Sequence, residues 1–308
     1  MKRWQADLIL VGIALIWGAT FVMVKNALDS VGPVTFIAWR FIAATLTLLA
    51  IFHRRMRGLL PGEIRAGILL GLWLGTGYVL QTTGLQSTTT GKTGFITGMN
   101  VVIVPILSAV FFRKPPGWKS AAGTLIAVVG MGLLSLDANL KIQPGDLWVL
   151  GGAVAFALHI VSVSEFAAKQ DPIRIAIVQL GAGAIFITGA AFVFETPSLH
   201  LPVSTWEAIL FTGVVATALV FSTQIAVQRF TTSTHAALIL SLESPFAAFF
   251  GWWWASEQLG TQELLGCALI MAGIVIAELS GRSSSEQMLN RETKMMETAT
   301  GSQVSPDV

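Results

Sequence analysis

Charged side chains are scarce in this chain. Asp, Glu, Lys and Arg make up 12% of its 308 residues, whereas hydrophobic residues make up 54%, and the mean hydropathy is +0.71. Soluble domains usually carry about 25% charged residues, so this composition cannot cover a water-exposed surface. The sequence therefore predicts a polytopic protein embedded in the lipid bilayer.

Cysteine, strong net charge and catalytic clusters are also lacking. The single cysteine, Cys267, excludes an intramolecular disulfide framework and a thiolate metal site. The net charge of +2, without a basic stripe interleaved with aromatics, argues against nucleic acid as a partner. No Ser/His/Asp arrangement with catalytic order is present in the sequence. We therefore expect no catalytic residues, no metal and no cofactor, and we do not expect an enzyme.

Long apolar runs dominate what is present. A membrane-spanning helix needs roughly 20 mostly apolar residues, and ten stretches meet this requirement. Prolines lie in or beside the short polar breaks between them, where a helix can begin or end. The predicted fold class is therefore all-α, a polytopic bundle of ten transmembrane helices. The predicted spans are 6–26, 33–52, 64–86, 93–112, 119–136, 145–164, 173–193, 206–227, 235–254 and 262–279.

The distribution of basic residues predicts the orientation, because cytoplasmic loops carry an excess of Lys and Arg. With the N-terminus inside, fifteen of the 19 Lys and Arg residues lie on the inner side, three lie on the outer side and Arg40 lies within a span. Both termini are therefore predicted to be cytoplasmic, in a multi-pass protein of the cytoplasmic (inner) membrane. The polar, aperiodic segment 281–308 is predicted to be a disordered cytoplasmic tail.

The two halves of the chain resemble each other. One constant offset aligns the first two spans of each half, and slightly larger offsets align the later ones. The aligned pairs include Asp7 and Asp146, Pro33 and Pro172, Pro105 and Pro245, and Gly130 and Gly273. Two five-span repeats joined in sequence must have opposite orientations, because five crossings end on the other side of the membrane. The sequence predicts a first repeat over 1–140 and an inverted second repeat over 141–280, an arrangement typical of transporters.

Several motifs resemble those of one transporter group. The motifs are Leu242-Glu243-Ser244-Pro245-Phe246-Ala247-Ala248, Ser256-Glu257, Gly266, Leu15-Ile16-Trp17-Gly18 with Asp7, and Trp39-Arg40. With the duplicated five-helix unit, they make residues 5–280 resemble the EamA branch of the drug/metabolite transporter superfamily. The resemblance implies a ten-helix bundle around a central cavity that moves small organic solutes by alternating access, often outward. It names no solute.

Glu243 is the clearest candidate for a functional side chain. An ionisable group near the bilayer centre costs roughly 2.5–3.5 kcal/mol, so one that persists there needs a partner, a cavity or a function. Pro245, two residues later, removes a backbone hydrogen bond and can open a kink. Glu243 could bind an amino group of the solute or carry a coupling proton; alternatively, it is a structural acid that stabilises the kink. Pro105 and Pro245 are predicted to be structural or gating residues.

Neutral polar and aromatic side chains at mid-span depth are candidates to line a solute cavity. A histidine can shuttle a proton or bind a carboxylate, although His159 could equally be a satisfied interhelical residue. Trp17 lies too deep for the interfacial aromatic belt, and simple packing is the alternative. The predicted substrate-binding residues are Trp17, Thr20, Tyr78, Gln81, Asn100, His159 and Glu243.

Arg40 lies about seven residues below the outer end of the second span, roughly 10 Å deep at 1.5 Å per residue. It could extend to the interface, bind a carboxylate of the solute or pair with an acid during closure, and we favour a structural or gating pair. Gln179 occupies the same position in the second half, with the same predicted role. Gln224 is a weaker candidate for an inner gate.

A stripe of glycines marks the third span. Gly67, Gly71 and Gly75 recur at four-residue spacing, which lets another helix approach closely. Packing inside the protomer is the favoured use and dimerisation is the alternative. The chain is therefore expected to be a monomer or a homodimer.

Together these patterns predict a secondary transporter. The expected solutes are small organic metabolites, amino acids or related zwitterions first, exported across the membrane by alternating access, with protons as a candidate coupling ion. A membrane-embedded enzyme is one alternative, but it should show a compact set of acids, histidines or cysteines. A non-transporting scaffold has no reason to place Glu243 in mid-span, and a channel should show polar faces along several helices.

Overall fold

The computed structural model describes residues 1–88, 90–112, 117–135, 142–255 and 260–276. Within these ranges the chain is built of helices and contains no strand. A short 3₁₀ turn, His53–Met56, follows the second helix, and a π-helical segment, Val214–Leu219, joins the ninth to the tenth. Helices α1 to α13 are Arg3–Ala27, Pro33–Phe52, Pro61–Leu85, Thr90–Gly98, Asn100–Phe112, Trp118–Ser135, Pro144–Phe166, Pro172–Phe194, Val203–Gly213, Val220–Gln228, Ser233–Leu240, Glu243–Ala255 and Thr261–Ile276.

Four long helices, α2, α3, α7 and α8, each begin at a proline. Proline suits the first helical position because its φ is preset and its missing N–H would have no helical partner there. At the start of α8 the Asp171 carboxylate also accepts hydrogen bonds from the backbone N–H groups of Ile173 and Arg174. The predicted breaks before these four helices are confirmed.

Eight helical stretches among the described residues are long and apolar enough to cross a membrane. They correspond to eight of the ten predicted spans. The other two, Ser120–Leu133 and Thr261–Ile276, are apolar but shorter. A polytopic all-helical membrane protein is therefore confirmed, while the count of ten spans stays a prediction. The predicted tail, 281–308, and the motif residues Ser256 and Glu257 lie outside the described residues.

Two spans that the sequence predicts as continuous are interrupted near their middle. Met99 separates α4 from α5, and the pair Ser241 and Leu242 separates α11 from α12. The second break places Pro245 third in α12, in the first turn, where its missing N–H costs no helical hydrogen bond. Pro105 instead lies inside α5, where the missing N–H leaves a carbonyl of the preceding turn without its helical partner.

The helix starts around these breaks correct one detail of the predicted alignment between halves. Three pairs of helices begin at one and the same separation along the chain, so Asn100 and Glu243 are equivalent, each opening the helix after a break. Pro105 and Pro245, aligned by the sequence at a shorter separation, do not occupy equivalent places in α5 and α12. The three pairs of first residues are Thr90 and Ser233, Asn100 and Glu243, and Trp118 and Thr261.

Close helix crossings depend on glycine at corresponding places in the two halves. A Cβ at Gly71 in α3 would lie 2.4 Å from the Gln179 carbonyl oxygen in α8, and a Cβ at Gly213 in α9 would lie 2.9 Å from the Arg40 carbonyl oxygen in α2. Arg40 and Gln179 are equivalent positions, separated by the same offset that aligns Pro33 with Pro172. The crossings of α3 with α8 and of α9 with α2 are therefore built in the same way.

The rest of the α3 glycine stripe also packs on α8. A Cβ at Gly67 would lie 2.5 Å from Val178 Cβ, and a Cβ at Gly75 would lie 3.2 Å from a ring carbon of Phe186. The predicted use of this stripe for packing inside the protomer is therefore confirmed.

Helices α6 and α13 pack against each other through reciprocal glycines. A Cβ at Gly130 would lie 2.6 Å from the Gly266 carbonyl oxygen, and a Cβ at Gly273 would lie 2.5 Å from the Gly123 carbonyl oxygen. Both pairs, Gly130 with Gly273 and Gly123 with Gly266, have the separation that relates the first residues of α6 and α13. Each helix therefore offers the other the same surface.

The span Val203–Gln228, which the predicted repeat aligns with α3, contains the π-helical segment Val214–Leu219. The span Pro61–Leu85 has 25 residues, whereas the corresponding span Val203–Gln228 has 26 residues. A π turn accommodates the extra residue, because i→i+5 hydrogen bonding holds one residue more than an α turn.

We expect Gly71→Ala and Gly213→Ala each to lower the free energy of unfolding by about 1–3 kcal/mol, because an added methyl group overpacks a close crossing. Gly12→Ala is the matched control, since nothing lies within 4 Å of a Cβ at that position and alanine favours a helix. Thermal unfolding of the purified variants in detergent measures the difference. Equal Tm values for the three variants would contradict the crossings assigned to Gly71 and Gly213.

Candidate functional site

A cavity lies among helices α1, α2, α3, α4, α5, α7, α10, α11 and α12. It holds at most about 830 Å³ of empty space, its open mouth included. Its lining mixes aromatic, neutral polar and charged side chains.

Nine of the twelve residues selected from the sequence line this one cavity, although seven different helices carry them. The other three, Gln179, Pro105 and Pro245, do not line it. The structure brings these side chains together, while the substrate-binding and gating roles assigned to all twelve stay predictions. The nine are Trp17, Thr20, Arg40, Tyr78, Gln81, Asn100, His159, Gln224 and Glu243.

Phe221 of α10 lies at the centre of the aromatic wall of the cavity. Its ring centroid is 5.3 Å from that of Trp17, 6.2 Å from that of Tyr78 and 5.7 Å from that of His159. Phe156 of α7 contacts Tyr78 edge-on, with ring centroids 5.2 Å apart. Neither phenylalanine was predicted from the sequence, because a phenylalanine in an apolar span gives the same signal whether it faces lipid, core or cavity.

The π segment beside Phe221 presents a backbone carbonyl to two other helices. Trp17 Nε1 donates a hydrogen bond to the Ala216 carbonyl oxygen at 3.1 Å, and Arg40 Nη2 lies 3.5 Å from the same oxygen. A π turn displaces carbonyls from the α-helical hydrogen-bond pattern, and such turns often occur at functional sites. Through the Ala216 carbonyl, the π segment thus connects α10 at the cavity wall with α1 and α2.

Arg40 is 3% exposed, and neutral groups hold its guanidinium. Nε donates to Thr217 Oγ1 at 2.6 Å, and Nη2 donates to the Tyr78 hydroxyl at 3.1 Å. The guanidinium carbon lies 4.6 Å from the Tyr78 ring centroid, a cation–π contact. No acid of the described residues pairs with Arg40 in this conformation.

Glu243 opens α12 at the helix break and lines the cavity. Its carboxylate makes no hydrogen bond or ion pair with any residue that the structure describes. The first turn of a helix favours a negative charge because the free N–H groups there are partly positive. Asn100, at the equivalent start of α5, also lines the cavity, and its Oδ1 is buried without a hydrogen-bond partner. Both broken spans therefore bring a polar side chain to the cavity.

His159 and Gln179 form a buried pair, with His159 Nε2 3.0 Å from Gln179 Oε1. His159 reaches the cavity, whereas Gln179 is fully buried away from it. Gln179 therefore orients the histidine. On α3, Gln81 Nε2 donates to Thr97 Oγ1 at 2.9 Å, which joins α3 to α4 at the cavity wall.

Polar contacts join neighbouring helices beside Gln224 and between α5 and α11. Gln224 Nε2 donates to Gln228 Oε1 at 3.1 Å, and Gln228 Nε2 donates across to Ser164 Oγ of α7 at 2.7 Å. The hydroxyls of Ser108 and Ser233 lie 2.8 Å apart and join α5 to α11. Gln228 was not predicted from the sequence, although it follows Gln224 by four residues and so lies on the same helix face.

Comparison with known proteins identifies the family. The family model described as the EamA-like transporter family matches residues 4–136 and again residues 143–279. The chain belongs to the EamA-like transporter family. The resemblance inferred from its motifs is confirmed, and the cavity therefore lies in a protein of a transporter family.

Relatives of this EamA-like chain are named as transporters. An uncharacterized transporter of Archaeoglobus fulgidus is 35% identical over 91% of this chain and 87% of its own length. An S-adenosylmethionine/S-adenosylhomocysteine transporter of Chlamydia muridarum is 24% identical over 83% of this chain and 88% of its own length. A probable terminal-alkyne amino-acid exporter of Streptantibioticus cattleyicolor is 23% identical over 90% of this chain and 94% of its own length.

The fold also has a counterpart among solved structures. One crystal structure superimposes with a TM-score of 0.77 at 20% sequence identity, covering 89% of this chain and 98% of that chain. At this identity the likeness shows the fold alone.

We expect cysteines introduced by Asn100→Cys and Gln81→Cys to react with a small polar thiol reagent, because both side chains line the cavity. The background is Cys267→Ser, which removes the native thiol. Ala44→Cys is the control, since Ala44 is fully buried in α2 away from the cavity, and it should stay unmodified. Intact-protein mass spectrometry counts the modified thiols. No reaction at either cavity position would contradict an accessible cavity.

Proposed function

We propose that this chain is a secondary transporter that exports small organic metabolites, amino acids or related zwitterions, across the cytoplasmic (inner) membrane by alternating access. The cavity is the main support for this proposal. Seven helices of an otherwise apolar bundle each bring to it at least one of the polar or charged side chains that the sequence singled out. Membership of a transporter family supports the activity.

A zwitterionic solute suits the charges at the cavity. Glu243 offers a carboxylate with no partner among the described residues, which suits an ammonium group. Asn100 and Gln81 add neutral hydrogen-bonding groups, and Phe221 with Trp17 adds an apolar surface for the rest of the solute. The names of the Chlamydia and Streptantibioticus relatives, whose solutes contain an amino-acid group, favour the same class.

The proposed architecture has ten spans in two inverted five-helix repeats, 1–140 and 141–280, with both termini cytoplasmic. Two separate matches to one family model support a duplication. The corresponding glycine contacts of Gly71 with α8 and of Gly213 with α2 support equivalent packing in the two halves. A monomer or a homodimer stays the expected assembly.

Two features support alternating access: the cavity extends toward one end of the bundle, and polar contacts join helices toward the other end. The cavity reaches Leu85, the last residue of α3, and Thr93, near the start of α4. With the N-terminus inside, both would lie near the outer face. The contacts of Gln228 with Ser164 and of Ser108 with Ser233 would then form a closed inner gate. We propose that this conformation is open to the outside.

We expect Glu243→Gln to fold normally and to transport amino acids with a weaker pH dependence, because glutamine carries no proton to exchange. We also expect the rate to fall about tenfold or more, since a hydrogen bond to a charged group contributes roughly 1.5–3 kcal/mol. Ser244→Ala is the control, because its hydroxyl does not line the cavity. Flux into proteoliposomes across a pH series measures both effects. An unchanged pH profile in Glu243→Gln removes this residue from proton coupling.

We expect Ser108→Cys combined with Ser233→Cys, in the Cys267→Ser background, to form a disulfide on oxidation and to stop solute exchange. The native hydroxyl oxygens are only 2.8 Å apart, and a covalent link would hold α5 and α11 together. A reductant should restore exchange, and each single variant with oxidant is the control. Full exchange through the cross-linked protein would contradict a gate between α5 and α11.

A further inference from the structure

Arg40 is a buried cation at the cavity with one unused donor nitrogen. Thr217 accepts from Nε, while Tyr78 and the Ala216 carbonyl accept from Nη2. Nη1 makes no hydrogen bond to any described residue, and it is not among the enclosed polar atoms that lack a partner. Arg40 lines the cavity, so a solute there can approach the guanidinium and its unused donor.

A purely structural role does not account for this arrangement. A brace between α2, α3 and the π segment would need only the Nε and Nη2 hydrogen bonds. Glutamine serves at the equivalent position, Gln179, where the side chain orients His159 without bearing a charge. Keeping a guanidinium buried without an anion is costly, so the charge itself has a use.

We propose that Arg40 is the carboxylate-binding residue of the solute site, an inference that rests on the proposed transport of zwitterions. It replaces the expectation of a structural or gating pair. A guanidinium presents a planar fork that binds a carboxylate through two parallel N–H···O bonds. Nη1 is free for one of them, and Nη2, held at 3.1 Å by Tyr78 and 3.5 Å by Ala216, is released for the other.

The π segment positions this residue. Thr217 lies within Val214–Leu219 and holds Nε at 2.6 Å, the shortest of the three Arg40 hydrogen bonds. The extra residue of the second half thus brings Thr217 and Ala216 to the guanidinium, and α3 has no such segment. Thr217 is a positioning residue, because it acts on the solute through Arg40.

Glu243 supplies the opposite charge of the same site. Arg40 and Glu243 both line the cavity, and they form no ion pair with each other. A solute with an ammonium and a carboxylate group satisfies both charges at once, whereas an amine or an acid alone satisfies only one. The site is therefore selective for molecules that carry both groups.

The test measures binding of matched solutes to the purified full-length chain in detergent. Leucine is compared with 3-methylbutylamine, which lacks the carboxylate, and with 2-hydroxy-4-methylpentanoate, which lacks the ammonium. The corresponding triplets for methionine and phenylalanine extend the series. The variants are Arg40→Gln and Glu243→Gln, each the matched control of the other, and titration calorimetry gives Kd.

We expect Arg40→Gln to weaken binding of the amino acid and the hydroxy acid at least about tenfold and to leave the Kd of the amine unchanged. Glu243→Gln should weaken the amino acid and the amine and spare the hydroxy acid. An equal loss for all three solutes in Arg40→Gln, or no loss for the amino acid, would overturn the assignment. Wild-type protein that binds no member of any triplet would overturn the proposed solute class, a result distinct from both.

Two milder variants keep the test decisive where Arg40→Gln does not fold. Thr217→Val removes the hydrogen bond to Nε at similar volume and should weaken the two carboxylate solutes about threefold, with the amine unchanged. Thr217→Ser keeps a hydroxyl that can accept from Nε, so it should bind the carboxylate solutes as the wild type does. Carboxylate binding that survives Thr217→Val unchanged, or that falls equally in Thr217→Ser, would overturn the assignment.

Discussion

The main physical constraint on this structure is the energetic cost of placing charged side chains inside an apolar helix bundle. Within a membrane span, an ionisable side chain must be paired, hydrated or bound to a solute, because hydrocarbon provides neither a hydrogen bond nor an opposite charge. Arg40 and Glu243 are both buried and neither has an ion-pair partner among the described residues. Both groups line the cavity, which is where water or a solute would offset this cost. Neutral acceptors such as Thr217 hold the guanidinium in place without cancelling its charge.

The two halves of the chain make corresponding contacts between helices, but they contribute different side chains to the region of the cavity. Gly71 and Gly213 allow equivalent close crossings, and α6 and α13 pack through reciprocal glycines. The polar residues near the cavity differ between the halves. Arg40, a cation, is equivalent to the neutral amide Gln179, and Asn100 is equivalent to the acid Glu243. The glycine contacts between helices thus correspond in the two halves, whereas the polar side chains that line the cavity do not.

Sequence reasoning identified the family, the helical class and most of the polar residues that meet at the cavity. It succeeded there because a polar or ionisable side chain in an apolar span is conspicuous. It failed for Phe221, because aromatic residues give the same hydropathy signal in lipid, core or cavity. The π segment and the helix break at Met99 were also not predicted. Both arise from one-residue changes in backbone hydrogen bonding, which hydrophobic periodicity does not reveal. The partners of Arg40 were also out of reach, since Thr217 lies far from it in the chain and meets it only in the folded bundle.

The most direct test of transport is counterflow in proteoliposomes preloaded with a mixed pool of amino acids. Exchange needs no assumption about the driving ion or the direction in cells. We predict that at least one labelled amino acid accumulates and that other zwitterions compete with it, whereas amines and acids lacking one of the two charges compete weakly. A flat time course for every labelled amino acid, with a positive-control transporter active in parallel vesicles, would contradict the proposed solute class.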